Sequence, residues 1–141
     1  MSFNIFKISE QKNINLKDLR LNYKQVASSF CTNYYSLYDY RFADLAQLYL
    51  PESQFTYSDR EITGFQNFST IIKKLEFERF VHQDMNITVQ PIGSSNMVIS
   101  VIGFITINNA VFPSRFMENL IIQRNDNNEL HIVSTIFKII D

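Results

Sequence analysis

From about residue 78 the chain reads as four long extended stretches in succession, at about 78–90, 97–107, 112–124 and 129–140, and this run constrains the fold more than any other feature. The breaks between them are Pro91-Ile92-Gly93-Ser94-Ser95-Asn96, Asn108-Asn109 and Asn125-Asp126-Asn127-Asn128, all with turn chemistry. Links this short favour antiparallel pairing, because a parallel pair needs a crossover of a dozen residues or more. Helical spacing lies ahead of the strands. Val26, Phe30, Tyr34, Leu37 and Tyr38 share one face of a helix starting near Tyr23. Asp39 is placed to cap a second short helix carrying Phe42, Leu45, Ala46, Leu48 and Tyr49, with Pro51 as its stop. Gln54-Phe55-Thr56-Tyr57 reads as a strand and Ser58-Asp59-Arg60 as a turn, with a return strand beginning at Ile62. Phe68, Ile71, Ile72 and Leu75 mark a third helix, with Lys73 and Lys74 at its end, where cations complement the dipole. Helices first and strands last predict an α+β class, with three N-terminal helices packed on a strongly bent antiparallel sheet.

Alternation along the strands points to assembly. Met97, Ile99, Val101, Ile105 and Ile107 line one face of the second long strand, and Val98, Ser100, Ile102, Phe104 and Thr106 the other. In the last strand Leu130, Ile132, Ile136 and Ile140 oppose His131, Val133, Phe137 and Ile139. Neither face is properly polar, and three short helices can cover only one, so a subunit interface is expected. A charge at Val101 is then expected either to split a dimer or to unfold the domain. The 141 residues suit one domain able to bury roughly 70% of its unfolded surface. Residues 1–21 read as a polar leader and 22–141 as the domain.

Several function classes drop out. Thirteen basic against fourteen acidic residues leave a net charge of −1, without the basic footprint of a nucleic-acid binder. Gly64, Gly93 and Gly103 lie too far apart for a phosphate loop, and no pair of histidines has metal-ligand spacing, so no cofactor or metal is expected. The single cysteine, Cys31, forms no intrachain disulfide and reads as a small buried hydrophobe. No apolar run approaches a membrane span or a secretory signal, so membrane insertion is not expected and the sequons at Asn67 and Asn86 read as chance. His82 and Asp84 share a strand face with Asn86, Thr88 and Gln90 and are the one candidate acid–base pair, although a solvated face with one hydrogen-bonded histidine is the plainer reading. His131 alternates with apolar neighbours and reads as packing. Asp59, Arg60, Glu61, Glu76, Glu78 and Arg79 read as a solvated rim.

Between Tyr23 and Ile139 the chain resembles the nuclear transport factor 2 domain family. The resemblance rests on Ser28-Ser29-Phe30, Tyr34-Tyr35-Ser36-Leu37-Tyr38-Asp39, Leu45-Ala46-Gln47-Leu48-Tyr49, Thr56-Tyr57 before Ile62-Thr63-Gly64, Phe77 five residues ahead of His82, Gln90-Pro91, Gly103, Arg115-Phe116 and Ile136-Phe137-Lys138. It implies a cone-shaped fold and a non-enzymatic dimeric carrier in nucleocytoplasmic transport, located in cytoplasm, nucleus and nuclear pores. The implied partners are a second copy, the Phe-Gly repeats of nuclear pore proteins and, as a further expectation, Ran in its GDP form. Tyr23 takes the place of the aromatic residue that stacks on the repeat phenylalanine. The implied Ran-contacting positions are Ser58, with Asp59 beside it, His82, and the turn Asn108-Asn109, where the family's acidic residues are missing. The expected dimer residues are Ile99, Val101, Ile105, Phe137, Lys138 and Ile139. A sister branch, the small subunit of the mRNA-export receptor, resembles the chain about as well and implies a heterodimer with a larger export protein. A cone-fold dehydratase or isomerase is the third class, with His82 and Asp84 as its acid–base residues.

Overall fold

A computed structural model describes residues 18–140; residues 1–17, which make up most of the expected leader, and residue 141 lie outside the described residues. A 3-10 turn, Leu19–Leu21, is capped by the Asp18 carboxylate, which accepts from Arg20 N at 3.0 Å, and Leu19 is fully buried. Helix α1, Tyr23–Tyr40, follows with Val26, Ala27, Phe30, Cys31, Tyr34, Tyr35, Leu37 and Tyr38 on its buried face. Each fully buried large side chain of this kind contributes roughly 1.5–3 kcal/mol. The face expected from the spacing is therefore the one that seats the helix.

The second helix departs from expectation. α1 runs through Asp39 to Tyr40, and a separate 3-10 helix, Phe42–Leu48, comes after it. Asp39 caps nothing, because its carboxylate is engaged by His82 across the domain. Pro51 is no helix stop either: it lies exposed inside strand β1, Tyr49–Tyr57. The pairing of β1 with its neighbour is irregular between Tyr49 and Gln54, so a residue without an N–H is tolerated there. β2, Arg60–Thr63, pairs antiparallel with β1, and helix α2, Phe65–Lys74, follows at once. Gly64 makes that junction possible. Its φ of +84° lies in the left-handed region, and its N–H bonds Ser53 O at 2.8 Å.

The four expected long strands are β3, Phe80–Ile92; β4, Asn96–Ile107; β5, Ser114–Arg124; and β6, Leu130–Ile139. The six strands form one sheet in the order β2-β1-β6-β5-β4-β3. Four of the five pairings are antiparallel, but β1 and β6 run parallel, which corrects the expectation of a purely antiparallel sheet. α2 and four further strands separate these two in sequence, so no short hairpin dictates their direction. The bend of the sheet has a visible cause. β3 bulges between Gln83 and Asn86, with Asp84 at φ +51°, and Gly103 of β4 lies against the bulge. A Cβ at Gly103 would stand 2.9 Å from Met85 Cγ and 3.0 Å from Gln83 O, so only glycine fits.

Candidate functional site

Which sheet face is which follows from register. Ile99, Val101 and Gly103 of β4 pair with Leu120, Glu118 and Phe116 of β5, and Phe116 and Glu118 pair with Ile139 and Phe137 of β6. All of these point into the cone under α1. Ile99, Val101, Ile105 and Phe137 are buried and Ile139 packs against them, so five of the six expected dimer residues belong to the protomer's own core. With a period of two, their neighbours must face outward, as Lys138 does.

The outward face carries Val98, Ile102 and Phe104 on β4, Met117 and Ile121 on β5 and Ile136 on β6. Ile102 and Ile136 are 49% and 44% exposed in the isolated chain. Asn86, Thr88 and Gln90 on β3, Gln54 on β1, and Arg115, Gln123 and Lys138 surround this apolar band with polar groups. The cross-strand pair Ser100 and Asn119 lies within the band, so its centre is mostly apolar with one polar pair.

At one end of the sheet the cone has a rim. Tyr57 ends β1 beside Phe137 near the end of β6, Ser114 starts β5 beside Ile105 near the end of β4, and Phe80 starts β3 beside Ile107. Ser58 and Asp59, in the β1–β2 turn, and Asn108 and Asn109, in the β4–β5 loop, are thereby gathered at this end, all exposed. The Asn108 side chain fixes the loop: Oδ1 accepts from Glu78 N at 2.7 Å and Arg79 N at 3.1 Å, and Nδ2 donates to Glu76 O at 2.7 Å. Val111 and Phe112 follow, 87% and 80% exposed. The rim thus presents amides, apolar groups and charges: Asp59 stands next to Ser58, and the exposed Glu76, Glu78 and Arg79 flank Asn108. Tyr23, the first residue of α1, is half-buried beside the exposed Leu21 at the N-terminal end of the helix.

His82 is a core residue, its side chain 1% exposed. Its Nδ1–H donates to Asp39 Oδ1 at 2.6 Å and its backbone N–H to Asp39 Oδ2 at 3.0 Å, which clamps the end of α1 onto β3. The ring packs between Tyr35, Tyr38 and Phe116, at centroid distances of 4.7, 4.8 and 5.3 Å. The expected pairing with Asp84 is corrected: the bulge breaks the alternation of β3 and leaves Asp84 exposed.

The carboxylate inside the cone is Glu118, which sequence reasoning missed. Tyr35 Oη donates to Oε1 at 2.8 Å, and Tyr34 Oη and Thr135 Oγ1 donate to Oε2 at 3.2 and 2.9 Å. Burial pushes the Glu118 carboxyl above its usual range, opposed by His82 and by the three hydroxyl donors. The surrounding tyrosines, Tyr34, Tyr35 and Tyr38, are pushed up by burial first and by Glu118 among the neighbouring groups, so they keep their protons, and Tyr34 and Tyr35 donate theirs to Glu118. Burial likewise raises Cys31 to about 12, which leaves it unreactive. The signal for Glu118 was its phase: it sits two residues from Phe116 and from Leu120, on the buried face of a strand. Side chains fill the interior and leave a cavity of about 10 Å³. A larger cleft of about 260 Å³ opens outside it, between the ends of α1 and α2, walled by Tyr38, Phe42 and Phe80. Among the described residues no group of three or more His, Cys, Asp or Glu is placed to hold a metal, and no helix is long and apolar enough to cross a membrane.

The family model described as the nuclear transport factor 2 (NTF2) domain matches residues 26–139. Nuclear transport factor 2 of Neurospora crassa is 22% identical over 122 residues, covering 86% of this chain and 98% of that protein. The Debaryomyces hansenii protein of the same name is 26% identical over 125 residues, covering 86% and 98%. Nuclear transport factor 2B of Arabidopsis thaliana is 24% identical over 115 residues, covering 81% and 91%. Among solved structures, nuclear transport factor 2 from Cryptosporidium parvum superposes with a TM-score of 0.72 at 25% identity, covering 90% of this chain and 99% of that one. A putative scytalone dehydratase from Novosphingobium aromaticivorans reaches the same TM-score at 11% identity, covering 86% and 87%, which speaks for a shared fold alone.

Proposed function

The chain belongs to the nuclear transport factor 2 domain family, and on that premise we propose that it is a non-enzymatic carrier in nucleocytoplasmic transport, dimeric through the outer sheet face. The observation that carries the reading is that face. Ile102, Phe104, Met117, Ile121 and Ile136 form a largely apolar band, crossed by the paired Ser100 and Asn119, and a second copy related by a two-fold axis would cover it with the same residues. The interior argues for binding rather than chemistry. His82 is sealed from solvent, the cavity inside the cone is about 10 Å³ against the ~300–1,000 Å³ that small-molecule sites usually offer, and the outer cleft of about 260 Å³ reaches Asp39 but not His82. Tyr23, with the exposed Leu21 beside it, supplies an aromatic surface for the phenylalanine of a Phe-Gly repeat.

Calorimetric titration with a Phe-Gly repeat peptide tests this. Binding is expected in the micromolar range or weaker, and Tyr23→Ala should reduce the affinity about tenfold, roughly 1.4 kcal/mol. A folded protein that gives no heat with the peptide would sink the carrier reading.

The rim favours a second reading, the Ran-independent export cofactor paired with a larger protein through the same sheet face. Ser58, Asn108 and Asn109 themselves offer no charge to a basic surface, so charge pairing would fall to Asp59 and to the exposed Glu76 and Glu78 beside Asn108, with Arg79 next to them opposing it. Titration with Ran-GDP, against Ran-GTP as control, separates the two. Heat with the GDP form alone supports import of Ran, and none with either form supports the export branch.

A further inference from the structure

We propose that the interior of the cone binds one ordered water molecule, which accepts a hydrogen bond from the Tyr57 hydroxyl and donates one to the Glu118 carboxylate. A carboxylate has about four acceptor positions, and three on Glu118 are filled by Tyr34, Tyr35 and Thr135. The Tyr57 hydroxyl, on a side chain 5% exposed, has no protein partner, and such a group in the interior is costly.

Both groups line the same cavity, whose volume of about 10 Å³ is close to the one-probe volume a single water requires. Nothing larger fits, so the ligand is water and not a substrate. Phe55, Phe68 and Phe137 wall much of the rest and cannot bond to it, so Tyr57 and Glu118, with the neighbouring hydroxyls and Thr56, are the groups that can orient it. Burial and the nearby Glu118 hold the Tyr57 phenol above its ordinary range, and the smaller opposing effect of Arg60 does not reverse this. Tyr57 therefore keeps its proton and is the donor, so the water's own protons are free for the carboxylate. The bridge gives the buried carboxylate its fourth partner and Tyr57 its first. The inference does not depend on whether the chain carries cargo.

A crystal structure of the full chain that resolves waters decides it, together with nuclear Overhauser transfer from water to the rings of Phe55 and Phe137 in solution. One density peak within hydrogen-bond distance of both Tyr57 Oη and a Glu118 oxygen is expected. A dry cavity, or Tyr57 bonded directly to a protein atom, would overturn the proposal. Tyr57→Phe removes the donor with little change of shape, and the water signal should fall about tenfold or vanish. An undiminished signal in that variant would equally overturn it. If the variant does not fold, the wild-type density and transfer experiment decide alone.

Discussion

Glu118 holds an ionisable group where its neighbours are Val101, Phe137, Tyr34 and Tyr35, and that placement has a sign that can be worked out. Its folded pKa is raised above the unfolded value, so the protonated form is favoured by folding. The contribution to stability is fully present below the unfolded pKa and is lost as pH rises through the folded one. Glu118→Gln keeps the shape and removes the titration. Its urea-denaturation stability should exceed that of the wild type at neutral pH by on the order of 1 kcal/mol, and the two should converge toward acid pH. Equal pH dependence in both proteins would show that Glu118 is not the titrating group. Asp39 is the opposite case, a carboxylate satisfied by two donors of one residue. Asp39→Ala leaves the His82 N–H and Nδ1–H without acceptors and should cost about 2–3 kcal/mol in thermal or urea unfolding, with Asp39→Asn milder because one acceptor survives.

At the scale of elements, β4 separates core from outer face one residue at a time. Val101 lies directly opposite Glu118 inside the cone, whereas Ile102 lies opposite Met117 on the outer face. Val101→Asp adds a second buried carboxylate and should unfold the domain, costing about 3–5 kcal/mol. Ile102→Asp should leave the melting temperature near that of the wild type and raise the dimer dissociation constant at least about tenfold, read by sedimentation equilibrium. A dimer unchanged by Ile102→Asp would remove the outer face as the interface. The bulge facing Gly103 is the element-scale device that bends the sheet. Gly103→Val should clash with Met85 and the Gln83 carbonyl and cost about 1–3 kcal/mol, seen as a lower urea midpoint.

For the molecule as a whole, the sheet joins regions distant in sequence: the turn at Ser58 and Asp59 and the loop at Asn108 and Asn109 meet at one rim because β1 pairs with β6, and β6 with β5. Much of this was legible in advance. Strand order along the chain, the helix starting near Tyr23, the third helix and the apolar character of both faces of β4 all follow from local periodicity and turn chemistry, which depend on neighbours two to four residues away. The partner of His82 was not legible, because the bulge at Asp84 breaks alternation and the true partner, Asp39, lies 43 residues earlier on a helix. The parallel pairing of β1 with β6 was hidden for the same reason, since nothing near either strand specifies a neighbour so remote in sequence. Alternation by itself showed that β4 has two apolar faces, and so that one would need a partner. Which face is core was decided only in the tertiary structure, because a strand of period two is symmetric between its faces until a helix packs on one of them, and α1 packs on the side of Val101.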